Sequence, residues 1–130
     1  MFRRSREASE RFAERRRLED EAERLAAAVP DLLSLRLDVE ERHGAGIASE
    51  TKHVRHVVVA RAPALFLFPC GDPACSDGGH DLTAPILNKL RRRADSFALD
   101  ETCAGSIGTI SCARILHVVA TAGYRGGRHS

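Results

Sequence analysis

The stretch PCGDPACSDGGHD, residues 69–81, places two cysteines, one histidine, three aspartates and three glycines in thirteen positions, with almost no apolar side chain among them. Ordering a backbone residue costs roughly 1–2 kcal/mol in entropy, and side chains that bury so little apolar area do not offset it. Such a segment is either left unordered or pinned by something other than a hydrophobic core.

The four cysteines of the chain offer that pin. Cys70 and Cys75 flank GDPA at the end of a β-rich run, and Cys103 and Cys112 flank AGSIGTIS, which joins two further runs. Each pair stands at the shoulders of a turn, where both thiols can point to one spot. Two such pairs supply the four soft ligands that tetrahedral Zn²⁺ takes at roughly 2.3 Å. Gly71, Gly105 and Gly108 let the backbone wrap an ion, and the metal then contributes the folding energy that the loops lack. The expected site is therefore Cys70, Cys75, Cys103 and Cys112 around a structural zinc.

The spacings of four and eight intervening residues are wider than those of the usual zinc knuckles. Three alternatives follow from that: cysteines packed as small apolar residues, a disulfide or redox pair, and an iron–sulfur cluster on the same four thiolates. A redox pair is disfavoured by the absence of any C-x-x-C.

His80 follows Cys75 closely and is the alternative metal ligand. With three ligands and a water, His80 or Asp77 would serve as base and the chain would be a metalloenzyme. The other reading has His80 and Asp81 starting the next helix, with Asp72, Asp77 and Asp81 as turn and cap formers. The chain holds no H-x-E, G-x-S-x-G, H-E-x-x-H or phosphate-cradling G-x-x-x-x-G-K, so no enzymatic activity is expected. His53, His56 and His117 read as structural or surface histidines.

The chain's 130 residues suit one domain, and 43% apolar and 29% charged residues are ordinary for a globular protein. Net charge is +2, which four thiolates on a divalent ion would cancel, so bulk charge advertises no polyanion. The charged N-terminus lacks a secretory apolar run, and no apolar stretch reaches the ~18 residues of a membrane span. A cytoplasmic protein without membrane association is expected, where thiols stay reduced. Eighteen arginines against two lysines fit a GC-rich bacterial genome.

Opposite charges recur four apart from Arg3 to Arg24, and Leu18, Ala22, Leu25 and Val29 form one narrow stripe. Together they predict a helix from about Ser5 to Ala28, stopped by Pro30. It reads as a solvated extension whose second half covers the domain, or as a docking or self-association arm with under two heptads of coiled-coil seam.

After Pro30 the period becomes two, with Leu33, Leu35, Leu37 and Val39 expected inward and HGAGIASE as a loop. Runs at Val54–Ala60 and Ala64–Phe68, broken near Pro63, read as strands. Thr83 is expected to cap a helix burying Ile86, Leu87, Leu90 and Ala94. SFALDETC and CARILHVVATAGY read as the last strands and RGGRHS as a basic tail. The fold expected is α+β, a small antiparallel sheet of about five strands with one packed helix. Its parts would be a charged helix over 1–30, a zinc-binding domain over 31–124 and a tail over 125–130.

The remaining cluster is KLRRR. Lys89, Arg91, Arg92 and Arg93, extended by Arg114, Arg125 and Arg128, are candidates for phosphate contacts. One Tyr, no Trp and five Phe leave little for base stacking. The expected function is a protein-interaction or regulatory module with a structural zinc, partnered by another protein or by its own copy through the N-terminal helix. The alternative is a nucleic-acid-binding zinc protein.

Overall fold

The computed structural model describes residues 2–42, 49–72, 74–76 and 78–126. Most of the expected HGAGIASE loop, Asp77 and Arg128 lie outside the described residues.

The N-terminal charge pattern gives helix α1 (Phe2–Glu21), on which Arg17 pairs with both Glu14 and Glu21. The helix expected over residues 5–28 is not continuous. Arg24 is extended at φ −74° and ψ 144°, and a one-turn helix α2 (Leu25–Ala28) follows it. The physical reason is a competing pairing. Residues 23–25 bond to the segment around Pro63, through Leu25 N–H to Ala62 O at 2.8 Å and Ala64 N–H to Glu23 O at 2.7 Å. The Arg24 guanidinium donates back to the carbonyls of Glu19 and Ala22 at 2.6 and 2.9 Å, closing the end of α1. Leu18 on α1 stays 40% exposed, whereas Leu25 is fully buried.

The main sheet has four strands, all antiparallel: β1 (Leu32–Arg42), β2 (Ser49–Val57), β5 (Ser96–Thr102) and β8 (Ile115–Tyr124), in the order β2-β1-β8-β5. About five strands were expected. The run at 64–68 yields only β3 (Leu67–Phe68), paired in a two-residue ribbon with β4 (His80–Asp81). A second ribbon, β6 (Ser106–Ile107) with β7 (Ile110–Ser111), falls inside the expected turn. It closes over Gly108 at φ 63°, a backbone setting that glycine adopts without strain.

Alternation along β1 sends Leu35, Leu37, Val39 and Glu41 to the buried face. Leu33 departs from expectation and is 56% exposed. A register irregularity between Leu32 and Ser34 reverses the parity there, so that Leu32 is buried in its place.

Helix α3 (Thr83–Arg91) buries Ile86, Leu87 and Leu90. With Leu25, Val29, Phe66, Phe68 and Leu82 they pack against Leu35, Leu37, Val39, Leu116, Val118 and Ala120 of the sheet. Thr83 is not the cap. The cap position is Leu82, while the Asp81 carboxylate accepts Thr83 N–H at 3.0 Å and Thr83 Oγ1 accepts Phe66 N–H at 2.9 Å. The other face of β1 carries the exposed ion pair Arg36–Asp38 and the partly buried pair Arg42–Glu40, polar residues where one-sided antiparallel sheets place them.

Candidate metal centre

The cysteines gather at one end of the sheet. Thr102, Ile115 and Arg42 lie in register at that end. Cys103 directly follows β5, two residues separate Cys112 from β8, and one residue, Pro69, separates Cys70 from β3. Sheet register thus delivers Cys103 and Cys112, while the β3–β4 ribbon and the Cys70–Cys75 turn deliver the other two.

All four Sγ atoms lie within 4.8 Å of one another, and all four cysteines are free thiols. The two short separations are Cys70–Cys112 at 3.6 Å and Cys75–Cys103 at 3.7 Å. Four ligands held 2.3 Å from a tetrahedral ion stand about 3.8 Å apart, so these contacts already have the edge length of such a site. The short contacts run between the two loops and not within them.

Backbone pairing locks the loops together. Ser76 and Ser106 exchange hydrogen bonds of 2.7 and 3.1 Å, while Cys103 N–H bonds Arg114 O and Cys112 N–H bonds Gly105 O. The close approach requires glycine at two positions. A Cβ on Gly78 would meet the Sγ atoms of Cys75 and Cys103, and one on Gly105 would meet Cys75 Sγ and the backbone of Gly78 and Ser76.

Three backbone N–H groups face the sulfurs: Asp72 toward Cys70, and Gly79 and Gly105 toward Cys103, each at 3.4 Å. Burial is the largest single influence at Cys103 and works against a thiolate, but the Gly79 and Gly105 N–H donors together with the Cys75 and Cys112 thiols outweigh it and draw its pKa below that of an ordinary thiol. Burial raises Cys70 despite the Asp72 donor, and it pushes Cys75 up to about 11. An ion is what would let four such groups be thiolates together.

Glu41 is the residue that the sequence reading passed over. It continues the inward series Leu35, Leu37, Val39 and is only 4% exposed. Its carboxylate accepts Gly71 N–H at 2.9 Å and the Arg114 guanidinium at 3.2 Å, and Arg114 Nε lies 3.9 Å from Asp72. One carboxylate at the end of β1 therefore holds a residue beside Cys70 and a residue two beyond Cys112. The parity of β1 was the available signal.

His80 lies outside the four-thiol set. It is not a helix cap but a buried residue of β4, its Nδ1 3.6 Å from Glu101 Oε1 and both ring nitrogens without a hydrogen bond. Burial lowers its pKa, while Glu101 and Glu41 pull the other way. Asp72 and Asp81 do act as turn formers, Asp72 accepting Ala74 N–H at 2.8 Å.

The basic strip is smaller than expected. Lys89, Arg91 and Arg92 are exposed on or just beyond α3. Arg93 turns away at φ 59° to pair with Asp31 at 2.9 Å and to lie over Tyr124, and Arg114 is held by Glu41. His53 and His56 are exposed, and His117 pairs with Asp100.

Comparison of the chain with protein-family models, with curated proteins and with solved structures gives no match, so its functional reading rests on its own residues.

Proposed function

We propose that this chain is a small zinc-binding protein whose metal, held by Cys70, Cys75, Cys103 and Cys112, is structural, and which acts as a protein-interaction or regulatory module. The observation that carries the reading is the set of four thiols within 4.8 Å, two of their separations at the edge length of a mononuclear tetrahedral site. An iron–sulfur cluster would interpose its own iron and sulfide atoms between the ligands and hold them farther apart. Zinc accepts this ligand set without redox demands.

Four thiolates complete a tetrahedral sphere, which leaves no position for a reacting water and supports a role without catalysis at the metal. Ligation by His80, with the open site it implies, gains nothing from a ring outside the thiol set. The nucleic-acid alternative is weakened by the engagement of Arg93 and Arg114 elsewhere. No described helix is long and apolar enough to cross a membrane, and reduced thiolates suit a cytoplasmic setting.

The test is elemental analysis of purified protein with thiol titration before and after chelation. The expected result is about one zinc per chain with four thiols released by chelator. Protein free of metal with unchanged thermal stability would falsify the reading.

A further inference from the structure

Two cavities, of about 580 and 450 Å³, lie between α1 and the segment running from β2 to β3, and Arg15, Glu19 and Arg55 line both. Shared walls make them two parts of one groove. Its accessible apolar lining is Val57, Val58 and Leu65 in one part and Leu67 in the other, laid over the core residues Phe66 and Phe68. Together they have the size range of a binding site for several side chains.

The charge of the groove's larger part is one-sided, whereas the smaller part sets Arg15 and Arg55 against Glu19 and Glu41, the latter already paired with Arg114. Arg15, Arg16, Arg24, Arg55 and Arg61 line the larger part against Glu19 and Asp20 alone. Arg24 is spent on backbone carbonyls, but Arg55 is not spent. It is half-buried over the Phe68 ring, 4.8 Å from the centroid, and among the described residues its guanidinium makes no hydrogen bond or ion pair. A guanidinium does not shed its proton, so its N–H fork stands in the groove without an acceptor. Burial and the neighbouring Arg15 both weigh against that charge, and only Glu19 acts for it from a distance. Such a group gains most from an incoming carboxylate, which it can bind through two parallel hydrogen bonds.

Resting on the interaction-module reading above, we infer that this groove is the docking site and that its occupant is an acidic peptide segment of a protein partner, its apolar side chains on Val57, Val58 and Leu65 and its carboxylates on Arg55 and Arg15. The apolar lining argues for a peptide over a phosphate backbone.

A phage-displayed random heptapeptide library panned on the zinc-loaded full chain tests this, with Arg55→Met and Arg15→Met as parallel baits. Metal content and circular dichroism are recorded for each bait. Enriched peptides are expected to combine Leu, Ile or Phe with Asp or Glu. A synthetic peptide of the enriched sequence should bind at least tenfold more weakly to either variant and lose affinity as salt is raised. Enrichment of basic peptides, no enrichment, or equal binding to folded Arg55→Met and Arg15→Met protein overturns the proposal. So does tighter binding of a single-stranded oligonucleotide than of any peptide. Zinc content separates the two claims, because a metal-free chain that binds acidic peptides refutes the zinc and leaves the groove, while a zinc-loaded chain that binds none does the reverse.

Discussion

Glu41 and Arg114, 73 positions apart in the chain, form a largely buried ion pair of 3.2 Å at the rim of the cysteine cluster. The second carboxylate oxygen of Glu41 takes Gly71 N–H. The pair thus fastens both cysteine-bearing loops to the end of β1, and its effect should be felt at the metal. Removing one partner leaves the other charged and buried, which costs about 3–5 kcal/mol. Glu41→Ala and Arg114→Met are each expected to lose that much in thermal or urea denaturation of the metal-loaded protein. Groups that support ligands in this way alter metal affinity about 10–100-fold, so competition with a chromophoric chelator should show the same variants releasing metal more readily. Full metal affinity in either variant would mean that the pair serves the sheet and not the site.

The cluster itself makes a second prediction. Cys75→Ser and Cys103→Ser should each lose the metal and several kcal/mol of stability. Gly78→Ala should behave like a ligand variant although it alters no ligand, since the added methyl would stand 2.7 Å from Cys103 Sγ and closer still to Cys75 Sγ. Metal stoichiometry by elemental analysis is the readout, and a fully loaded Gly78→Ala protein contradicts the geometry.

His80 sets a pH dependence of definite sign. Burial lowers its pKa from 6.5, with Glu101 and Glu41 opposing, so below that pH the unfolded chain binds the proton more readily than the folded one. Stability is therefore complete above pH 6.5 and falls as the pH drops through the window below it. Because both ring nitrogens lack a hydrogen bond, His80→Leu removes no partner. It should keep the metal, cost less than about 1.5 kcal/mol at neutral pH and flatten the acid limb. Denaturation midpoints for both proteins between neutral and mildly acid pH decide it; parallel curves exclude His80 as the titrating group.

The boundary between helix and domain can be tested by truncation. Deleting residues 1–21 removes α1, whose described side chains are mostly exposed, and should leave the sheet folded. Leu25 and Val29 belong to the main core. Deleting residues 1–28 takes Leu25 away and is expected to cost about 2–5 kcal/mol, the usual loss for a large core side chain.

A pair of point variants checks the irregularity in β1. Leu35→Ala should cost about 2–5 kcal/mol, whereas Leu33→Ser, at a position 56% exposed, should stay within about 0.5 kcal/mol. Equal losses would place Leu33 inside after all.

What the sequence determined by itself is local. Period-two alternation from Leu35 to Val39, the apolar face of Ile86, Leu87 and Leu90, the stop at Pro30 and the turn-edge placement of all four cysteines depend on neighbours within a few residues, and each was legible there. The tertiary structure decided whatever depended on a distant partner. Helix α1 ends at Glu21 because residues 23–25 pair with a segment some forty positions away. Leu33 faces solvent because β8 fixes the register of β1. Arg93 and Arg114 are drawn out of the basic strip by Asp31 and Glu41. The register of Thr102, Ile115 and Arg42 sets Cys103 and Cys112 at one sheet end, and the pairing of Ser76 with Ser106 joins the Cys70–Cys75 loop to them. Spacing along a chain records what a residue can reach locally, while the identity of a partner dozens of residues away is set by which strands pair and in which register.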